Sequence, residues 1–157
     1  LAELADLLRQ SMSAANVAEH SLAVEMRWVE PFLSIMRQRF GERLRTRIAV
    51  SDAAARCVVP TLLLMAPVEN AVKHGVARSA AGVDVEVAAA VVDGRLQIDI
   101  LDTGDAPVAE HGGGTGLANL RARLATLHGD AAGVTLAREG ERTRVRVTLP
   151  ARAEAAA

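Results

Sequence analysis

Glu69, Asn70, Lys73 and His74 are crowded at the end of a long, mostly apolar run that stops at Gly75. At spacings of one, three and four residues on a helix these side chains are neighbours. An apolar core helix has no structural use for them. One use is chemical: the Asn70 carboxamide offers an oxygen to Mg²⁺, and Lys73 or His74 offers positive charge to phosphate oxygens. Mg²⁺ suits such a site because it keeps several waters and shares its other positions between one or two protein oxygens and a substrate's phosphates. The structural alternative is a solvated Glu69–Lys73 pair, with His74 at the negative end of the helix dipole.

Two further features carry chemistry. Asp102-Thr103-Gly104 closes an alternating apolar segment. A carboxylate there accepts a hydrogen bond from the exocyclic amine of adenine, where guanine has a carbonyl, and Gly104 lets a base approach the backbone. An ordinary strand-to-loop turn uses the same residue types. The second feature is Gly112-Gly113-Gly114-Thr115-Gly116, which leads into Leu117, Leu120, Leu124 and Leu127 at helical spacing. Backbone N–H groups freed by glycines, together with the unpaired donors of a helix N-terminus, make an anion site suited to phosphates. The alternative is a flexible hinge. No Gly-Lys-Ser/Thr follows, and the glycines do not fit G-x-G-x-x-G after a strand, so a P-loop and a dinucleotide fingerprint are both excluded.

These residues need a scaffold. Leu4, Leu7, Leu8 and Met12 predict a first helix. Ser21 caps a second that carries Leu22, Met26, Val29, Leu33 and Met36 inward to Gly41, with Pro31 as a kink and its Arg and Glu residues solvated. Leu44, Ile48 and Val50 predict a short strand, and Pro60 opens a buried helix to Gly75. Val83, Val85 and Val87, then Leu96, Ile98 and Ile100, alternate on either side of Asp93-Gly94, a turn pair favoured in two-residue hairpins. Gly129 stops the leucine helix, and the chain closes with a strand over Val134 to Ala137, a turn at Gly140, and Thr143, Val145, Val147 and Leu149 on one strand face. This order predicts an α+β fold: a two-layer sandwich with a mixed, mostly antiparallel sheet, helices on one face, and helices at the N-terminus. The irregular stretch from Thr103 to Thr115 is long for a connection and reads as a lid.

Composition narrows the function. A chain of 157 residues supports one core, and a formal charge of −1 with scattered Lys and Arg argues against nucleic-acid binding. Charged residues interrupt every apolar stretch before the roughly 18 positions a membrane span needs. The single cysteine, Cys57, forbids an internal disulfide and fits a reducing, cytoplasmic compartment. A start at Leu1, inside a helical pattern, reads as a fragment.

Taken in order, Glu69-Asn70-Ala71-Val72-Lys73-His74-Gly75, Asp102-Thr103-Gly104, Gly114-Thr115-Gly116-Leu117-Ala118-Asn119-Leu120, and Gly140 to Thr143 before Val145 to Pro150 resemble the N, G1, G2 and final boxes of the GHKL ATPases. Phe32-Leu33-Ser34-Ile35 and Arg39-Phe40 resemble the corresponding helix of LytS/YehU-type sensor histidine kinases. The resemblance covers residues 1 to 150 and implies a Bergerat fold. Residues 1–40 would be the C-terminal part of the dimerisation and phosphoacceptor region with its linker helix, 41–150 the ATP-binding catalytic domain, and 151–157 a disordered tail. It also implies roles: Asn70 on Mg²⁺, Asp102 on the adenine amine, Gly104 making room for the base, Gly114, Thr115, Gly116 and Leu117 at the phosphates, and Thr143 beside adenine. Glu69 would assist proton transfer, Lys73 and His74 would neighbour the phosphates, and Asn119 and Arg123 match family positions of less defined role. The implied reaction transfers the γ-phosphoryl of ATP to a histidine expected just upstream of Leu1 and then to a response-regulator receiver domain, in a homodimeric full-length protein anchored in the inner membrane.

Three departures bear on this. Ala106 replaces a glycine of the G1 box, Glu141 and Arg142 replace the Gly-Gly before Thr143, and Ala66 stands where some branches carry a carboxylate. None of the four histidines, His20, His74, His111 and His128, lies in the family's phosphoacceptor context, and His20 reads as a surface residue. The fragment is therefore expected to bind nucleotide without phosphorylating itself. A different GHKL kinase, such as an anti-sigma serine kinase, or a non-catalytic nucleotide-binding module are the competing readings.

Overall fold

The computed structural model describes residues 17–104 and 114–153. The expected helix over residues 1 to 12, Ala106, His111 and most of the expected lid lie outside the described residues. The described elements are β1 (Glu19–Ser21), α1 (Leu22–Phe40), β2 (Leu44–Val50), α2 (Asp52–Ala55), β3 (Val58–Pro60), α3 (Met65–Arg78), β4 (Val83–Val92), β5 (Arg95–Asp102), α4 (Gly114–His128), β6 (Gly133–Glu139) and β7 (Arg142–Pro150). A five-stranded sheet runs β2-β4-β5-β7-β6. β2 pairs with β4 in parallel, and the remaining pairs are antiparallel.

Period-two alternation decides which sheet face is covered. Val83, Val85 and Val87 of β4, Leu96, Ile98 and Ile100 of β5, and Val145, Val147 and Leu149 of β7 are buried in one core with Phe32, Leu33 and Met36 of α1 and Val68 and Val72 of α3. The opposite face is polar, with Arg146 of β7 forked onto Asp99 of β5 at 2.7 and 2.8 Å. At the β4–β5 turn both Asp93 (φ 49°) and Gly94 (φ 72°) occupy the left-handed region, as a tight hairpin of the primed type requires.

Four sequence expectations are corrected. Pro60 ends β3 instead of opening a helix; β3 pairs with β1, and the helix begins at Met65 with Pro67 in its first turn. The reason lies in Glu25, expected in solvent but fully buried. Its carboxyl group accepts the N–H of Leu62 (2.7 Å) and of Leu64 (3.1 Å), so the connection from Thr61 to Leu64 is satisfied by a side chain of α1. Leu62 is held there at φ 65°, in the left-handed region. His20, expected on the surface, is nearly buried, bonds Glu25 through Nε2 and meets the Trp28 ring edge-on at 4.9 Å. Leu127, expected inward, is half exposed.

The C-terminal segment also differs from a tail beginning at residue 151. Ala151 N–H bonds the Gly94 carbonyl, Val58 N–H bonds the Arg152 carbonyl, Arg152 pairs with Glu19, and Ala153 bridges Cys57. Residues 154–157 lie outside the described residues. Cys57 is buried, which pushes its thiol above the usual range and keeps it an inert part of the core.

Candidate nucleotide site

α3 positions the site because its two ends are gripped by different partners. Near its C-terminus the helix passes Gly75, continuing to Arg78 instead of stopping there. A Cβ on Gly75 would lie 2.6 Å from the Val83 side chain, and a Cβ on Gly104 would lie 2.7 Å from the Gly75 Cα. Two glycines in contact thus seat the end of β5 on the helix. Gly104 was expected to make room for a base; its first requirement is this backbone-to-backbone contact. Replacing Gly104 by Ala is expected to destabilise the chain by about 1–3 kcal/mol, since neither backbone can yield cheaply. Urea denaturation reads this directly, and an unchanged midpoint would contradict the packing account.

Toward its N-terminus α3 meets the start of α4. A Cβ on Gly116 would lie 3.3 Å from the Ala66 Cβ and 3.9 Å from Asn70 Nδ2, so the first turn of α4 passes close beside Ala66 and Asn70. Between the helices lies a cavity of about 500 Å³. Glu69, Asn70 and Lys73 line it from α3, and Gly116, Asn119 and Arg123 from α4. Lys73 forms no ion pair among the described residues, so the solvated Glu69–Lys73 pair does not occur. Leu117 is buried in the core and is not among the residues lining the cavity. α4 begins at Gly114, and the side chain of Thr115 lies outside the described residues. His74 is exposed on α3 and is not among the residues lining the cavity; partial burial, then Arg78 and Lys73, lower its pKa.

Asp102 and Thr143 sit at the Gly75 end. They are paired in register across β5 and β7, and both are buried. Asp102 accepts the Gly104 N–H at 3.0 Å. Burial raises its pKa from 3.8 to about 6, and the Gly104 N–H and the Arg138 charge hold it from rising further. At neutral pH it is mostly an acceptor with little to accept. Arg138, which the sequence reading missed, donates to the Gly104 carbonyl at 2.8 Å and lies 3.4 Å from Thr143 Oγ1. Its signal was present: Val134, Leu136 and Arg138 alternate on one face of β6, placing a guanidinium where the pattern calls for an apolar residue.

The residues fit a divalent cation shared with a substrate. Asn70 Nδ2 is buried without a partner among the described residues. Carboxamide nitrogen and oxygen are interchangeable by a half-turn, so the unpaired end can equally present its oxygen. Among the described residues no cluster of three His, Cys, Asp or Glu could hold a metal by itself. Phosphate oxygens and water would have to complete the shell, which is the habit of Mg²⁺.

No protein-family model matches the chain. Individual relatives do. The sensor histidine kinase YesM of Bacillus subtilis is 30% identical over 132 residues, covering 80% of this chain and 23% of that protein. The sensor histidine kinase BtsS of Escherichia coli is 32% identical over 138 residues, covering 86% of this chain and 24% of that protein. The nucleotide-free catalytic domain of the histidine kinase ThkA superposes with a TM-score of 0.65 at 12% identity, covering 85% of this chain and 96% of that one. The chain belongs with the GHKL catalytic domains of LytS-type sensor histidine kinases. Full-length ShkA, solved in complex with AMPPNP, is also similar: 25% identity and a TM-score of 0.63 over 90% of this chain and 32% of that one. The chain spans about a quarter of the length of the curated relatives it matches. No helix among the described residues of this GHKL domain is long and apolar enough to cross a membrane.

Proposed function

We propose that the domain binds ATP with Mg²⁺ and, in the whole protein, transfers the γ-phosphoryl group to a histidine outside the described residues, from which it passes to an aspartate of a response regulator. One observation carries this reading: a buried, under-satisfied Asp102 at one end of α3 and, nearer the other and beside the start of α4, an Asn70 carboxamide whose buried nitrogen has no partner among the described residues. These are complementary to the amine of adenine and to a metal-bound polyphosphate. Asp102 accepts from the adenine amine, with Thr143 beside it. The free N–H groups of the first α4 turn donate to phosphate oxygens, and Lys73 adds a charge. When bound, Mg²⁺ supplies charge neutralisation at the phosphates, with Asn70 as its protein ligand. In the transfer, the bond from the γ-phosphorus to the bridging oxygen breaks, its electron pair leaves with ADP, and a phosphorus–nitrogen bond forms. Glu69, lining the same cavity, takes the imidazole proton. Catalysis is then positioning plus electrostatics, as phosphoryl transfer demands.

The same reading makes residues 1–40 the approach from the dimerisation region, with α1 docked in the catalytic core, and places the domain in the cytoplasm of a membrane-anchored homodimer. Asn70→Ala tests the metal arm. ATP affinity in Mg²⁺ should fall about tenfold or more and lose its dependence on the ion, for the loss of a hydrogen-bonding or ligand group of this kind. An Asn70→Ala variant that kept a normal Mg²⁺ dependence would remove Asn70 from the metal.

A further inference from the structure

Arg123 has no use in the account so far, yet it lines the cavity with Asn70 and Lys73. Its place along α3 is informative. Gly104 packs on Gly75 and Gly116 on Ala66, which on the ATP reading are the adenine end and the phosphate end. From Gly75 to Ala66 the helix rises about 13 Å at about 1.5 Å per residue, and a nucleotide laid along it from Asp102 directs its last phosphate toward Ala66 and Leu62. That is the end of the cavity that Arg123 lines together with Leu62.

The guanidinium is also held in place and uncompensated. Nη1 of Arg123 donates to the Thr61 carbonyl, and Arg123 forms no ion pair among the described residues. Thr61 is itself fixed: its N–H bonds the Ala18 carbonyl at 3.1 Å and its hydroxyl bonds the Val17 carbonyl. Next to it, Leu62 N–H is bound by the buried Glu25. A planar five-donor cation, half-buried with a neutral partner at one nitrogen, is matched to a terminal phosphate, whose oxygens it can take in pairs.

We infer that Arg123 binds the γ-phosphate and gives this site its preference for a triphosphate over a diphosphate. This rests on the ATP reading above and assigns the far end of the same cavity. Lys73, two residues before Gly75, serves the inner phosphates, so Lys73→Ala should weaken ATP and ADP alike.

The test is calorimetric titration of ATP and ADP, each with Mg²⁺, into the wild-type chain, Arg123→Met and Arg123→Lys. Arg123→Met should lower ATP affinity at least about tenfold while ADP affinity stays as in the wild type, which also certifies that the variant is folded. Arg123→Lys, which keeps the charge and loses the fork, should fall between the two. Equal losses for ATP and ADP in Arg123→Met would reduce Arg123 to a brace for Thr61 and overturn the inference, as would no loss for either. A wild-type chain that bound neither nucleotide would overturn the ATP reading itself, an outcome distinct from the other two.

Discussion

Asp102→Asn should make the nucleotide-free domain more stable at pH 7 while removing most of its affinity for ATP. Burial pushes this carboxyl group in the folded chain up to about 6 from the ordinary 3.8. A folded pKa raised in this way means that the protonated form is the one folding favours. Its stabilising contribution is complete below about pH 3.8 and is lost as pH rises through 6. At pH 7 the ionised group therefore costs up to about 3 kcal/mol. Asparagine keeps the shape and can still accept the Gly104 N–H, so it should recover about 1–3 kcal/mol at pH 7 and nothing at pH 4. Urea denaturation at both values checks this, and a gain that does not shrink with acid would contradict it. The same substitution places an amide donor against the adenine amine, and ATP affinity should drop about 100-fold. Wild-type affinity should likewise weaken as pH falls through 6, since nucleotide binding selects the ionised acceptor.

Glu25→Ala should destabilise the chain strongly, by about 3–5 kcal/mol in urea denaturation. Two backbone N–H groups and His20 would lose an acceptor that is itself fully buried. Glu25→Gln keeps the volume but turns one acceptor into a donor, so about half that loss is expected. A loss under about 1 kcal/mol for Glu25→Ala would mean that water satisfies the Thr61–Leu64 connection instead. The two buried carboxyl groups act in opposite directions for one reason. Glu25 has three donors, whereas Asp102 has one backbone donor and an acceptor position left over for a ligand.

What could be read from the sequence divides along the same line. Local signals carried β4, β5 and β7, because alternation in Val83–Val87, Leu96–Ile100 and Thr143–Leu149 is a property of neighbours. The hairpin at Asp93-Gly94 was visible for the same reason. Glu25 was misplaced because its partners are 37 and 39 residues away, and periodicity on α1 contains nothing of them. The false helix start at Pro60 is the other half of that error: the connection it was meant to cap is satisfied by Glu25. In the site, the order of motifs brought Glu69, Asn70, Lys73, Gly116 and Asn119 to one cavity and Asp102, Gly104 and Thr143 to one end of α3. His74 and the Leu117 side chain did not join them. Arg138 and the grip on Arg123 depend on strand register and on Thr61, which only the folded chain supplies.

On the function proposed above, this domain recognises adenine through Asp102 and a metal-bound polyphosphate through α3 and α4. Titration of ATP and GTP into the wild-type chain, with and without Mg²⁺, addresses it most directly. ATP should bind, more tightly with Mg²⁺, and GTP should bind at least about 100-fold more weakly, because its carbonyl opposes the Asp102 carboxylate where the adenine amine would donate. Equal affinity for the two nucleotides, or no binding of ATP in Mg²⁺, would contradict it.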